Sequence, residues 1–258
     1  MKIVDDGLDA LREQIGLGEI MSLIERTARW VDPATFKLLP VWYPEHARRQ
    51  HFYKGGWAEP QLNKSRANGA VVHKVEGNVY ANQALTLALG MRKATRPNWS
   101  CCHIWGLDDG KFQKSNLVVQ DRRFYSCVAN MVLLPTPMKA FTDTMLEVKA
   151  MLRLCAVNLY GWECDHEALV APPGGQSVDL AMSGDYPSSW PKRLGEQFPL
   201  GTVPLTPAIR KSAEQRLATI RQEVADPGPH YPIEDVRAVL RYWNIDVQGA
   251  SAEGPPPG

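Results

Sequence analysis

The most restrictive feature of the sequence is a fully apolar run, residues 131–134, that ends at a proline and leads directly into a helix start. A short run without a polar position is typical of a buried strand. Thr136 is a favoured N-cap residue and Pro137 suits the first helical position. The apolar residues that follow recur at helical spacing, which predicts one amphipathic helix ending before Gly161. They are Met138, Phe141, Met145, Val148 and Leu152.

The residues before this run predict a strand–strand–helix order. Residues 100–105 are β-like, and Asp108, Asp109 and Gly110 form a turn signal. Further strand candidates are residues 71–75, 117–119 and 124–128. Helical periodicity covers residues 7–31, 80–91 and 232–243 and a segment that starts after Thr206. The sequence therefore predicts an α+β fold, with the two strands and their helix embedded in a mostly helical domain.

Two polar residues of this segment carry a resemblance to a known family. His103 lies near the end of the first strand, before Ile104, Trp105 and Gly106, and Asn130 directly precedes the apolar run. The arrangement over residues 99–153 resembles the HNH, or ββα-metal, endonuclease motif. The resemblance implies a ββα-metal-like module in which His103 is the general base and the Asn130 carbonyl orients it. It also implies one divalent metal, Mg²⁺ or Mn²⁺, that stabilises charge on the phosphate.

Two positions depart from the family pattern. The residue before the first His, commonly a metal ligand in the family, is Cys102 here, and the third motif position is Lys139 rather than His. An ammonium group cannot bind a metal, so the Mg²⁺ ligands come from elsewhere, the metal is a different one, or the module binds without cutting. Alternatively, Lys139 replaces the metal as the positive charge on the phosphate. The candidate metal ligands are Cys102, Asp108 and Asp109, with Asp121 and Asp143 as further carboxylates.

Basic groups alternate with aromatic rings between residues 40 and 68. This mixture suits a nucleic-acid surface, because cations meet phosphates and rings stack on bases. The alternative is a solvated surface whose long basic side chains cover core aromatics. DNA is the leading partner. The candidate nucleic-acid contacts are Arg48, Arg49, Lys54, Trp57, Lys64, Arg66, Arg122 and Arg123.

Composition limits the remaining possibilities. Lys plus Arg (29) nearly equals Asp plus Glu (28), so a nucleic-acid site has to be a local patch. Neither a signal peptide nor a membrane span is recognisable, and five cysteines suggest reduced thiols, so we expect a cytoplasmic protein without a membrane partner. Cys164 and His166 with Cys102 and His103 offer an alternative Zn²⁺ site, although no Cys-x-x-Cys pair supports it. The sequence is compatible with a monomer or a homo-oligomer.

The sequence suggests four regions and three functions. Residues 1–96 form a helical and basic-aromatic region, 97–170 the HNH-like module, 171–247 a connector with helices, and 248–258 a tail expected to be disordered. The first hypothesis is an HNH-like DNA endonuclease of restriction or mobile-element type. The second is a non-catalytic DNA-binding protein with a degenerate ββα fold. The third is a zinc-stabilised interaction protein.

Overall fold

The computed structural model describes residues 6–65, 67–92, 94, 96–106, 114–169 and 183–246. The predicted tail at 248–258 therefore lies outside the described residues, as do Arg66, Asp108 and Asp109. The helices are α1 Gly7–Arg12, α2 Leu17–Thr27, α3 Pro33–Leu38, α4 Val79–Ala88, α5 Arg122–Tyr125, α6 Lys139–Thr144, α7 Leu146–Tyr160, α8 Pro207–Ala225 and α9 Ile233–Tyr242. The strands are β1 Trp30–Val31, β2 Leu62–Lys64, β3 Val71–His73, β4 Trp99–His103, β5 Met131–Pro135 and β6 Thr202–Val203.

An antiparallel pair of strands, β4 and β5, lies in the core. Its register places His103 opposite Met131 and Cys101 opposite Leu133. Residues 131–134 are completely buried, which confirms the strand predicted from their uniform apolarity. Arg29 bridges to Leu133 on the other edge of β5, next to β1, and β1 in turn pairs in parallel with β6. The mixture of helices and small sheets confirms the α+β class.

The predicted single helix after β5 is divided into two. A 3-10 turn, Thr136–Met138, comes first, so Thr136 is not the N-cap of a long helix, contrary to the sequence prediction. Met145 is extended (φ −106°, ψ 109°) and separates α6 from α7. The apolar periodicity was still informative, because Met145, Val148 and Leu152 are all buried. Gly161 ends α7 in the left-handed conformation (φ 65°), as expected for a glycine after the last helical residue.

The connection between β4 and β5 is helical where strands were predicted. Residues 118–119 lie in the 3-10 helix Val118–Gln120, residues 124–125 in α5, and Val128 begins the 3-10 helix Val128–Asn130. Cys127 makes only an isolated bridge to Val41. Asp121 caps α5 by accepting a hydrogen bond from the amide of Arg123 at 2.7 Å. The apolar runs therefore reflect burial of tight turns rather than extended strands, since Val118, Val119 and Phe124 are completely buried.

The predictions for the two ends of the chain have different outcomes. The periodic segment 7–31 is divided into α1, α2 and β1 rather than forming one helix. Thr206 caps α8 through a hydrogen bond from the Ile209 amide at 3.2 Å, as the sequence predicted. Among the described residues, none of the helices has the length and apolarity needed to cross a bilayer.

Candidate active site around His103

His103 is the last residue of β4, and its ring is held from one side. Its Nε2 lies 2.9 Å from the backbone carbonyl oxygen of Tyr125. A carbonyl can only accept, so Nε2 carries the proton and Nδ1 keeps a lone pair. Burial lowers the pKa of His103 to about 4, and the Tyr125 hydrogen bond opposes this only in part. The imidazole is therefore neutral at pH 7, the protonation state that a general base needs.

The Tyr125 carbonyl is fixed by the tyrosine's own side chain. Tyr125 is completely buried at the end of α5, and its hydroxyl donates to Oε1 of Glu76. The same carboxylate oxygen accepts the amide of Val79 at the start of α4. Glu76 is itself buried, with 2% of its surface exposed. Glu76 and Tyr125 are thus positioning residues for His103, and sequence reasoning missed both, since neither belongs to a motif.

Asn130 uses its side chain to fix the connection rather than the imidazole. Its Oδ1 accepts the amide of Trp105 at 2.8 Å, and its Nδ2 donates to the carbonyl of Phe124 at 3.0 Å. The resemblance predicts that the Asn130 side-chain carbonyl binds His103, but in the structure this oxygen binds the Trp105 amide. The completely buried amide instead ties the residues after β4 to α5, whose last residue holds His103.

Three charged side chains act on the His103 ring. The cations Arg48 and Lys139 lower its pKa, and the carboxylate of Asp143 raises it. Lys139 and Asp143 form an ion pair one turn apart on α6, and both are partly exposed. A substrate phosphate at this place would therefore meet two cations, one of which already has a carboxylate partner. The structure thus brings the predicted residues His103 and Lys139 into one neighbourhood.

Cys102 does not have the properties of a metal ligand. The side chain is buried, and burial raises the pKa of its thiol to about 12. A metal site needs several ligands together, and among the described residues no group of three or more His, Cys, Asp or Glu side chains lies around Cys102. The structure therefore assigns Cys102 to the core. Cys101, Cys127, Cys155 and Cys164 are buried free thiols as well.

The described residues do not fit the metal that the resemblance implies. In the part of the chain that is described, no group of three or more His, Cys, Asp or Glu side chains could hold a metal ion. Asp121 pairs with Arg123 at 2.6 Å, and Asp143 pairs with Lys139. The Nδ1 of His166 accepts the amide of Ala168 at 2.9 Å, which leaves it unsuited to a zinc site. The candidate ligands Asp108 and Asp109 lie outside the described residues.

The predicted nucleic-acid contacts divide into two groups. Arg48, Arg49 and Lys64 are exposed. The others have partners within the chain: Lys54 pairs with Glu59, Arg122 with Asp235, and Arg123 with Asp121. Trp57 is half-buried, and its ring stacks on His46 at 5.1 Å. Arg122, Arg123 and Trp57 thus have contacts that hold the fold together, and their contact with nucleic acid stays a prediction. Arg66 lies outside the described residues.

A second polar cluster joins the basic-aromatic region to α8. Arg216 bonds to the buried carboxylate of Glu45 and lies 3.7 Å from that of Glu223. Burial raises the pKa of Glu45 to about 7. His46 stacks on Tyr80 with the ring centroids 3.4 Å apart, and burial lowers its pKa to about 3. Sequence reasoning did not find this cluster, whose members are packed against aromatic rings.

The fold and the site are those of an α+β protein with a neutral histidine at the end of a buried strand. Compared with known proteins, the chain matches no protein-family model, no curated protein and no solved structure. The function therefore has to be argued from the site itself.

Proposed function

We propose that the chain is an HNH-like DNA endonuclease in which His103 is the general base. The observation that carries this proposal is the hydrogen bond from His103 Nε2 to the Tyr125 carbonyl. It fixes the tautomer that leaves Nδ1 as a base, and the lowered pKa keeps that base unprotonated at neutral pH. The antiparallel pair β4–β5, followed by α6, supports the likeness to a ββα module, although α5 is inserted between the two strands.

The reaction follows from the chemistry of these groups. His103 Nδ1 removes a proton from a water molecule as the water oxygen attacks phosphorus. The P–O bond to the leaving sugar oxygen then breaks, and solvent protonates that oxygen. Negative charge grows on the phosphate during attack, and a nearby cation stabilises it. Lys139 and Arg48 are the cations whose charge already reaches the His103 ring, and we assign this role to them.

A second function, DNA binding without cleavage, is favoured by a different observation. Cys102 is a neutral buried thiol, and Lys139 is paired with Asp143, so two positions of the family's metal site are committed to other contacts. Such a protein would use the exposed cations Arg48, Arg49 and Lys64 to hold DNA and would leave the phosphodiester bonds intact.

A plasmid-nicking assay separates the two functions. Supercoiled DNA is incubated with the protein in chelator and, separately, in Mg²⁺, Mn²⁺ or Ni²⁺. Under the endonuclease proposal the wild type nicks the plasmid, and His103→Ala is at least about 100-fold slower, the usual contribution of a general base. Lys139→Ala is also about 100-fold slower, whereas Lys139→Arg retains much of the rate because the charge is kept.

His230→Ala is the matched control for His103→Ala. His230 is exposed and its ring stacks on Tyr53, away from β4. This variant should nick like the wild type after the same purification, so a loss confined to His103→Ala is a property of that residue. If wild type and His103→Ala leave the plasmid intact under every condition, the endonuclease proposal is wrong. Salt-dependent retention of the DNA in a mobility-shift assay would then support the binding function.

A further inference from the structure

Strands β2 and β3 form a ribbon that projects from the body of the protein. Leu62 pairs with His73, and Lys64 pairs with Val71, in an antiparallel register. All six residues of the two strands are exposed. Neighbouring residues in a strand point to opposite faces, so both faces of this ribbon carry exposed side chains.

The base of the ribbon is held firmly by the segment before it. The amide of Phe52 donates to the carbonyl of Lys74, and the amide of Lys74 donates to the carbonyl of Gln61, both at 2.9 Å. His51 bridges to Val75, and the Lys74 ammonium lies 4.4 Å from the centre of the Phe52 ring. An isolated two-stranded hairpin is marginally stable in water, so these contacts explain how the ribbon persists.

Positive charge is concentrated in the same segment. Residues 46–75 contain six Lys and Arg side chains but a single carboxylate, Glu59, whereas the whole chain has a formal net charge of +1. Glu59 is already paired with Lys54. From residue 60 to residue 75 the sequence has no acidic side chain. A local field of this sign attracts a polyanion.

One face of the ribbon combines a single cation, Lys64, with apolar side chains. Leu62, Lys64, Val71 and His73 share this face by register, and the ring of His51 stacks on that of His73 at 4.6 Å. Leu62 and Val71 expose 62% and 64% of their surface. Cations suit phosphates, and apolar groups suit the thymine methyl that lies in the major groove.

We infer that the β2–β3 ribbon inserts into the major groove of duplex DNA, with Lys64 on a backbone phosphate and the apolar side chains against base edges. The B-DNA major groove, about 12 Å wide, admits a two-stranded ribbon, whereas the minor groove is about 6 Å wide. The major groove of duplex RNA is too narrow for side chains to read. This inference rests on the proposed DNA substrate and assigns the element that reads it.

The test measures binding separately from cleavage. Fluorescence anisotropy of a short labelled DNA duplex is recorded in chelator with His103→Ala protein, across a range of salt concentrations. Adding Lys64→Glu should weaken binding at least 10-fold and lower the salt slope by about 1, the effect of one lost phosphate contact. Lys211→Glu is the control, since Lys211 is an exposed lysine on α8. Circular dichroism confirms that both variants are folded.

Three probes test the groove and the class of partner. A duplex whose pyrimidines carry a bulky group at C5 blocks the major groove and should bind about 10-fold more weakly. Duplex RNA and poly-glutamate should bind more weakly than DNA. The inference is overturned if Lys64→Glu binds like the control, if the C5-substituted duplex binds like the plain one, or if RNA or poly-glutamate equals DNA.

The two proposals can fail separately. If binding depends on Lys64 but the protein never nicks plasmid, the ribbon inference holds and only the endonuclease proposal is wrong. If nicking depends on His103 but DNA binding does not depend on Lys64, the endonuclease proposal holds and only the ribbon inference is wrong.

Discussion

The backbone carbonyl of Tyr125 accepts the Nε2–H of His103 at 2.9 Å, so one buried tyrosine determines which nitrogen of the imidazole is basic. The acceptor is a main-chain atom, and its position depends on how the Tyr125 side chain is anchored.

Tyr125→Phe keeps the carbonyl but removes the hydroxyl that donates to Glu76. A buried carboxylate then lacks one donor, so we expect the free energy of unfolding to fall by about 1–3 kcal/mol in a urea titration. Tyr53→Phe, in a half-exposed ring, should change it by less than about 0.5 kcal/mol. Equal stability of Tyr125→Phe and wild type would mean that Glu76 does not anchor this residue.

The acid limb of the nicking rate should lie well below that of an ordinary histidine. Burial lowers the pKa of His103 from 6.5 to about 4, so the base is already unprotonated at pH 5.5. The rate should therefore stay within about twofold between pH 5.5 and 8, whereas a base with pKa 6.5 would lose about 10-fold at the lower pH. A tenfold decline in this range, with circular dichroism unchanged, would contradict the burial of His103.

Asn130→Asp should destabilise the fold more than an exposed substitution of the same kind. It replaces the amide that donates to the Phe124 carbonyl with a carboxylate oxygen, which places two acceptors together in a completely buried site. We expect a loss of about 2–4 kcal/mol in chemical denaturation. Asn63→Asp, on the exposed strand β2, should be nearly neutral. A small effect at Asn130 would show that the β4–α5 connection tolerates rearrangement.

Glu45 should make the protein less stable as the pH rises towards neutrality. Burial raises its folded-state pKa from 4.5 to about 7, so the folded protein binds more protons than the unfolded chain between these values. Stability from this group is complete below pH 4.5 and is lost as the pH rises through 7. Relative to Glu45→Gln, wild type should lose stability across this window, as measured by urea titration at several pH values.

His46 titrates in the opposite sense. Its pKa is lowered to about 3, so its contribution is present above pH 6.5 and is lost on acidification. His46 Nε2 lies 3.7 Å from Glu45 Oε1, so the two titrations are coupled, and wild type and Glu45→Gln are therefore also compared with His46 replaced by Gln in both. A difference between wild type and Glu45→Gln that stays flat from pH 4.5 to 7 would mean that Glu45 is ionised throughout.

The sequence was sufficient for the elements that depend on local pattern. The apolar run at 131–134 predicted β5, and Thr206 and Pro207 predicted the start of α8. The same reasoning failed between β4 and β5, because Val118 and Phe124 are apolar for burial in tight turns, and apolarity alone does not distinguish a buried turn from a buried strand.

For the site, sequence reasoning found His103 but not what holds it. The partner is a main-chain carbonyl, which every residue has, so no side-chain pattern marks Tyr125. Glu76 and Arg216 were also missed, since their partners Tyr125 and Glu45 are distant in sequence. Contacts of this kind are set by tertiary packing, and only the folded structure identifies them.

The parallel pairing of Trp30 with Thr202 and of Val31 with Val203 has a consequence for how the protein is made. During translation β1 leaves the ribosome long before its partner β6 exists. Trp30 and Val31 are completely buried in the finished fold. Until β6 is synthesised, the edge of β1 that pairs with it has no partner. We expect the nascent chain to depend on chaperones during this interval, and a product interrupted before residue 202 to aggregate rather than fold.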